Sequence, residues 1–374
     1  MSKASLIERL RERGKGFVEK NRPMDRDLPD LFVTLCPSFG HFEEFATNKQ
    51  LAGIRLNSAM LLPEEVSKEL RLISNIVCRS CGGTSWGGGT DHDPRPWCNK
   101  CNDAQPGWNG DPENRVLRDD IVPLWFDVKG RQLRVVEALD NPEYLDLRMN
   151  HPIKVDTPTV VLLKAGADRG LLGEVLEDGH RLLFSGNPQY RVNPGESIHI
   201  RSPSLEIGGP LFSDVELDKI DRVRAAGVNR WFLSYVEEQR DLDLFREVVG
   251  EDAEVMLKIE SKRGLRFVAE EFKKDPYTRL VAACGDLYVE IDQPHHIFNA
   301  LKLIIAKDPQ AVAGSRMLLS VVQEPVPSLA DLGQLAWLYE IGYRTYMLCD
   351  ELCLKGDMLN TAVNVFDAFS TDYR

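Results

Sequence analysis

No stretch of this 374-residue chain approaches the ~18 apolar residues of a membrane-spanning helix, and the opening MSKASLIERLRERGKGF is charged rather than apolar. Neither a span nor a secretory leader is indicated, and a cytoplasmic location is the expectation. Positive charge is also scarce. There are 46 Lys and Arg against 58 Asp and Glu, a formal net charge of -12, and no long basic run offsets it. That leaves no electrostatic ground for binding nucleic acid or an anionic membrane. Eight cysteines are too few for a disulfide scaffold in a chain of this length. Internal repeats and low-complexity segments are missing too. What remains, with 43% hydrophobic and 28% charged residues and Gly and Pro dispersed along the chain, is an ordinary globular composition. The length is about twice that of a typical domain, so one large barrel with insertions or two domains are the starting possibilities.

Short β-branched or aromatic runs alternate with longer helical stretches. The runs are LFVTLC (31–36), IVPLWFDV (121–128), NRWFLSYV (229–236), VMLKI (255–259), LVAACGDLYVEI (280–291) and RTYMLC (344–349). Strand followed by helix, repeated, predicts a parallel sheet. DVELDKIDRVRAAG, opened by Ser213 and closed by Gly227, and LADLGQLAWLYEIG, opened by Ser328, read as capped barrel helices.

Two stretches break this rhythm. In the first, an insertion over 76–113, Cys, Gly, Trp, Asp and Pro crowd together without an apolar period. It carries Cys78-x2-Cys81 and Cys98-x2-Cys101, the two-pair spacing of a structural zinc site in which four thiolates complete a tetrahedron. With four thiolates in place, His92, Asp91 and Asp93 in the intervening loop are not needed as ligands. The knuckle is expected at the barrel's N-terminal face, where it would serve stability or contact with a second protein. The second stretch, about 140–210, holds short alternating runs (TPTVVLLK, HRLLFSG, SIHIRS) between Gly, Asn and Pro, the pattern of a small all-β module. The predicted division is a helical arm over 1–30, a first barrel part over 31–139 containing the insertion, a β lid over 140–210 and a second barrel part over 211–374.

In such a barrel the reactive side chains stand at the C-terminal ends of strands. Lys258 and Glu260 are two residues apart and so point to the same side of their strand, and the next strand delivers Gly285 and Asp286. Glu260 and Asp286 are oxygen donors suited to a hard divalent cation, with Lys258 beside them to neutralise an anionic substrate oxygen. A plain Lys258–Glu260 salt bridge closing the barrel is the competing reading.

The run Lys258-Ile259-Glu260-Ser261-Lys262-Arg263-Gly264, followed by Cys284-Gly285-Asp286-Leu287-Tyr288-Val289-Glu290-Ile291, resembles the K-I-E-N-x-x-G and R-G-D-L-G-x-E-I pair of the pyruvate kinase family. Arg55-Leu56-Asn57 resembles the family's R-L-N, and Asp127-Val128-Lys129-Gly130-Arg131-Gln132-Leu133-Arg134 its D-T-K-G-P-E-I-R. Further on, Gly314-Ser315-Arg316-Met317-Leu318 is similar to A-T-Q-M-L, and Glu324-Pro325-Val326-Pro327-Ser328 to N-P-x-P-T. Met347-Leu348-Cys349-Asp350-Glu351, then Lys355-Gly356-Asp357, are similar to M-L-S-G-E and K-G-D. All occur in family order, from about Leu31 to the end of the chain.

The resemblance implies a (β/α)8 TIM barrel of pyruvate kinase type, with a small all-β lid and the zinc knuckle as an insertion. It implies that Glu260 and Asp286 hold Mg2+ or Mn2+ and that the Gly285 and Asp286 amides with Ser315 bind a substrate carboxylate. Lys258 and Arg55 would act on the phosphoryl group of phosphoenolpyruvate, with Arg134 counted in the catalytic set, and Asn57 with Asp127 would help hold K+. The family's R-L-N-F-S-H-G continues here as Ser58-Ala59-Met60, without the histidine and with the serine displaced, which leaves potassium open. No nucleotide-facing lysine is identified in the short lid, and the expectation is a barrel ending after the eighth helix without the family's extra C-terminal domain. Cys36, Cys284, Cys349 and Cys353 stand near strand ends where the family has other residues, and read as buried thiols or as a thiolate or cluster site. A phosphotransferase acting on phosphoenolpyruvate or pyruvate is therefore the first expectation. A metal-dependent lyase or aldolase on the same barrel and a non-catalytic phosphoenolpyruvate sensor are the alternatives.

Overall fold

Eight runs rich in β-branched and aromatic residues pair in chain order, each parallel to the next: Asp30–Thr34, Leu51–Asn57, Leu124–Val128, Arg230–Leu233, Glu254–Ile259, Thr278–Ala283, Val312–Gly314 and Thr345–Met347. The last pairs with the first, with Phe32 opposite Met347, and so closes the sheet into a barrel with no free edge. This is a computed structural model. It describes residues 30–46, 51–72, 122–139 and 141–373, and between 73 and 121 only the backbone of four short strands.

Helices cover the outside. Asp214–Ala225 starts where the Ser213 side chain accepts from Glu216 N–H, and the chain leaves it through Gly227 at φ +80°. Leu329–Glu340 starts in a capping box in which the Ser328 side chain and the Asp331 carboxylate accept reciprocally from each other's backbone N–H. Between helices and barrel lies the larger apolar core, including Leu56, Phe126, Trp231, Phe245, Leu257 and Leu280.

Alternation along the strands sends the other side chains inward. There Phe32, Trp125, Phe232, Met256, Val281, Val312 and Met347 form a separate apolar plug. Phe32 meets Trp125 and Phe232 edge to face at centroid distances of 5.8 and 6.0 Å. Gly53 is what lets those rings in, since a Cβ there would stand 2.3 Å from the Phe32 ring and 2.8 Å from Trp125.

The run expected as one strand over 280–291 is divided. Thr278–Ala283 is strand, but Cys284–Glu290 is a helix, with Asp286 in its first turn. The helix follows the apolar stretch 280–284 without a break and is too short to show a period, whereas Asp286 in its first turn favours the helix through its dipole.

Between the third and fourth barrel strands the chain builds a six-stranded antiparallel sheet, in the order His199–Ile200, Thr159–Leu163, Asp168–Leu176, Arg181–Phe184, Asp146–Met149, Val135–Leu139. Its own core includes Leu147, Val161, Leu172, Leu182 and Phe184. In the insertion, Ile76–Cys78 pairs antiparallel with Arg115–Leu117, and Trp86–Gly87 with Trp97–Cys98. Cys81, Cys101, His92, Asp91 and Asp93 lie outside the described residues, as do the side chains of Cys78 and Cys98 and residues 1–29 of the expected arm. Among the described residues no helix is long and apolar enough to cross a membrane.

Candidate active site

The strand period that makes the plug also makes the layer above it. Two residues beyond Phe32 comes Thr34, beyond Gly53 comes Arg55, beyond Trp125 comes Asp127, beyond Phe232 comes Ser234 and beyond Met256 comes Lys258. Each therefore points inward at the C-terminal end of its strand.

Asp127 is the hub of this layer and is fully buried. Its Oδ2 lies 2.7 Å from Arg55 Nε, 3.3 Å from Lys129 Nζ and 3.3 Å from Lys258 Nζ, while its Oδ1 accepts from Ser234 Oγ at 2.9 Å. Burial alone would raise this carboxyl, but Lys129, Lys258 and Arg55 hold it well below the usual range. Lys129 is pushed down to about 8, first by burial and then by the neighbouring Lys258 and Arg55, against the pull of Asp127.

Lys258 also donates to Ser234 Oγ at 3.0 Å and pairs with Glu260 Oε1 at 3.0 Å, so the same-side expectation for residues two apart holds. Burial works against its charge, but Asp127 and Glu260 outweigh it and raise the ammonium. Glu260 Oε2 accepts from Tyr235 N–H at 2.7 Å. The Glu260 carboxyl is pushed up by burial and by Asp286, and Lys258 only partly offsets this. Tyr235 itself sits at φ +55°, a left-handed conformation that is strained for an aromatic residue.

Asp286 lies in the first turn of the Cys284–Glu290 helix with its side chain one-third exposed. Gly285 beside it packs against Ser315, whose Oγ would be 2.6 Å from a Cβ at that glycine. Ser315 and Arg316 follow the Val312–Gly314 strand at φ +68° and +57°, a second strained pair at the same end of the barrel. Asp286 stands close enough to Glu260 to add, after burial, to the upward push on that carboxyl. Among the described residues no three His, Cys, Asp or Glu groups converge as a preformed metal cage. Two carboxylates, one of them open, fit a hard cation that completes its shell with substrate oxygens and water.

The other expected site residues are placed differently. Asn57 donates to Asp350 Oδ2 at 2.8 Å, and its Oδ1 accepts from Ala59 N–H. Arg134 is turned toward the antiparallel sheet, donating to the Gly195 carbonyl at 2.6 Å and to Gln132 Oε1 at 2.5 Å. The cysteines Cys36, Cys284, Cys349 and Cys353 are buried, and burial pushes the first three thiols up to about 12. These surroundings favour inert thiols over thiolates.

Three participants escaped the sequence reading. Lys129 follows Asp127 at the same two-residue spacing that flags Lys258 and Glu260. Asp350 accepts from Arg55 Nη1 at 2.6 Å, and its signal was an acid where the resembling motif has glycine. Burial would raise this carboxyl, but Arg55 and Lys129 hold it down. His199 comes from the sheet. Its Nδ1 lies 2.6 Å from Glu290 Oε1 and 3.2 Å from the Tyr235 hydroxyl, while its buried Nε2 has no hydrogen-bond partner and faces Asp286 Oδ1 at 3.8 Å. A histidine alternating with Ile198 and Ile200 was the only hint. Beside it, a cleft of about 500 Å³ runs between sheet and barrel. Its cations are largely engaged already, Lys262 with Asp292, Arg263 with Glu237 and Arg201 with the Val289 carbonyl.

No family model matches the chain. Among curated proteins it is similar to the pyruvate kinase of Dictyostelium discoideum, 26% identical over 274 residues, which is 66% of this chain and 53% of that one. It is 27% identical to the pyruvate kinase of Naumovozyma castellii over 212 residues, 54% of this chain and 41% of the relative. With pyruvate kinase 1 of Saccharomyces cerevisiae the identity is 27% over 171 residues, 44% and 33% of the two chains. The chain therefore spans about half the length, or less, of these relatives.

Proposed function

Taking as premise that the chain is a divergent pyruvate kinase-like protein, we propose that its barrel end carries out metal-assisted chemistry on phosphoenolpyruvate or pyruvate, as a phosphotransferase whose acceptor is not a tightly bound nucleotide. The observation that carries this reading is Lys258 held by Asp127, Ser234 and Glu260 on strand ends adjoining Asp286. That is a fixed cation poised over an acidic pair.

In this reading Ser315 and the Gly285 and Asp286 amides orient the substrate carboxylate, and Glu260 with Asp286 would hold a divalent cation. Such a cation, when bound, supplies charge neutralisation on substrate oxygens. Lys258 neutralises charge building on the transferring phosphoryl group or on the enolate oxygen that its departure leaves. Tyr235 and Ser234 hold Glu260 and Lys258 in place, and burial keeps water from screening them. A fixed donor of this kind is worth about 10²–10³-fold in rate. The antiparallel sheet, joined to the barrel through His199 and Arg201, would act as a lid. The occupied cations of the cleft and the missing histidine after Asn57 support weak ADP binding. One observation favours a second reading, carbon–carbon chemistry on the pyruvate enolate. Arg55, the natural partner for a phosphoryl group, is engaged by Asp127 and Asp350.

Calorimetric titration with phosphoenolpyruvate, pyruvate and ADP, each with and without Mg2+ or Mn2+, tests the proposal. The expected pattern is metal-dependent binding of a three-carbon acid, weak ADP binding, and loss of turnover in Lys258→Ala. Absence of binding by both three-carbon acids with metal present overturns it. For the insertion, the two-pair cysteine spacing supports a structural Zn2+ held by Cys78, Cys81, Cys98 and Cys101, in a module available for protein contact. Elemental analysis should find about one zinc per chain, and iron in its place would contradict this assignment.

A further inference from the structure

The planar fork of a guanidinium suits a phosphoryl group because it can present two N–H donors side by side. In Arg55 both sides of that fork are taken by the protein's own carboxylates, Nε and Nη2 by Asp127 at 2.7 and 2.5 Å and Nη1 by Asp350 at 2.6 Å. The two carboxylates are not equivalent. Asp127 is fully buried and shared with Lys129, Lys258 and Ser234, so it belongs to the scaffold of the centre. Asp350 opens the short helix Asp350–Cys353 just after the last barrel strand, and its side chain is 35% exposed. Its second oxygen accepts from Asn57 at 2.8 Å, which fixes the carboxylate at the accessible margin of the cluster.

The charges follow the same division. Arg55, Lys129 and Lys258 are matched by Asp127, Glu260 and Asp350, and Asp286 adds a further carboxylate. A phosphorylated enol brings a phosphoryl dianion to Arg55 and must displace Asp350 or lie against it. An unphosphorylated 2-oxo acid brings only its carboxylate, which the reading above assigns to Ser315 and its neighbours on other strand ends. We propose that Asp350 is a specificity-determining residue that occupies the anion-accepting edge of Arg55 and so favours the 2-oxo acid over its phosphorylated enol. This rests on the three-carbon-acid reading of the site.

The test is calorimetry on the full chain with Mn2+ present, titrating pyruvate and phosphoenolpyruvate into wild type, Asp350→Asn, Asp350→Ser and Glu351→Gln. Asn keeps an oxygen for Asn57, Ser covers a failure of the Asn variant to fold, and Glu351 is exposed and, among the described residues, forms no ion pair with Arg55. Phosphoenolpyruvate should bind at least about tenfold tighter to either Asp350 variant, with pyruvate within about twofold and Glu351→Gln like wild type. Unchanged or weaker phosphoenolpyruvate binding in folded Asp350 variants overturns the proposal, as does an equal gain in Glu351→Gln. If neither acid binds any of the four proteins, the site reading has failed and the specificity inference falls with it. If both bind and their ratio does not move, only the inference has failed.

Discussion

The plug of the barrel and the charged layer above it are made by the same strands two residues apart, yet they are held by opposite means. Phe32, Trp125, Phe232 and Met256 are packed by shape, and any of them is stable for reasons its neighbours share. Thr34, Arg55, Asp127, Ser234 and Lys258 are held by a web in which one carboxylate serves several cations. The lower layer gains from burial as such, whereas the upper one repays its desolvation only while every partner is present. A barrel can therefore support a charged centre on an apolar floor, with the risk concentrated in one residue, Asp127.

Removing that residue's charge should have the largest effect. Asp127→Asn leaves Arg55, Lys129 and Lys258 crowded and buried, and should cost about 3–5 kcal/mol of stability in urea unfolding. Its acid dependence follows from the sign of the shift. A carboxyl held below its ordinary 3.8 in the folded state contributes fully above about pH 4 and loses that contribution as pH falls toward the folded value. Wild type should therefore lose stability below about pH 4 more steeply than Asp127→Asn. Equal slopes would mean the web is not what holds this layer.

Overfilling the floor is the milder counterpart. Gly53→Ala places a methyl group against Phe32 and Trp125 and should cost about 1–3 kcal/mol without changing the pH profile. A shift in that profile would show that the layers are coupled. The smallest effect belongs to Ser315, strained at φ +68°. Ser315→Gly should raise stability by about 0.5–1 kcal/mol while weakening carboxylate binding, the mark of strain kept for function. A loss of stability would place Ser315 among the ordinary packing residues.

The sequence made part of this legible. Strand runs alternating with helical stretches and the Ser213 and Ser328 caps are local signals, and they pointed to a parallel sheet, whereas its closure into a barrel was implied by the family resemblance. Lys258 with Glu260 was visible for the same reason, being two residues apart on one strand. What escaped depends on closure. Asp350 reaches Arg55 across 295 residues because the last strand pairs beside the first, and His199 reaches Glu290 from a different sheet across 91. Each leaves only a faint mark, an acid where the resembling motif has glycine and a histidine between Ile198 and Ile200, and neither mark names the partner. The helix at Cys284–Glu290 was missed because it follows the apolar strand directly and is too short for a helical period to show. Arg134, carried over with its motif, donates to Gly195 and Gln132 and stands close enough to Lys129 to push that ammonium down.

The central claim is that Glu260 and Asp286 together receive a divalent cation at a barrel end built for a three-carbon acid. Its most direct measurement is Mn2+ binding followed by electron paramagnetic resonance, with and without pyruvate, in wild type, Glu260→Gln and Asp286→Asn. The account expects Mn2+ bound by wild type and tightened by pyruvate, with at least about a tenfold loss of affinity in each variant while the fold persists. Equal Mn2+ affinity in all three proteins would contradict it.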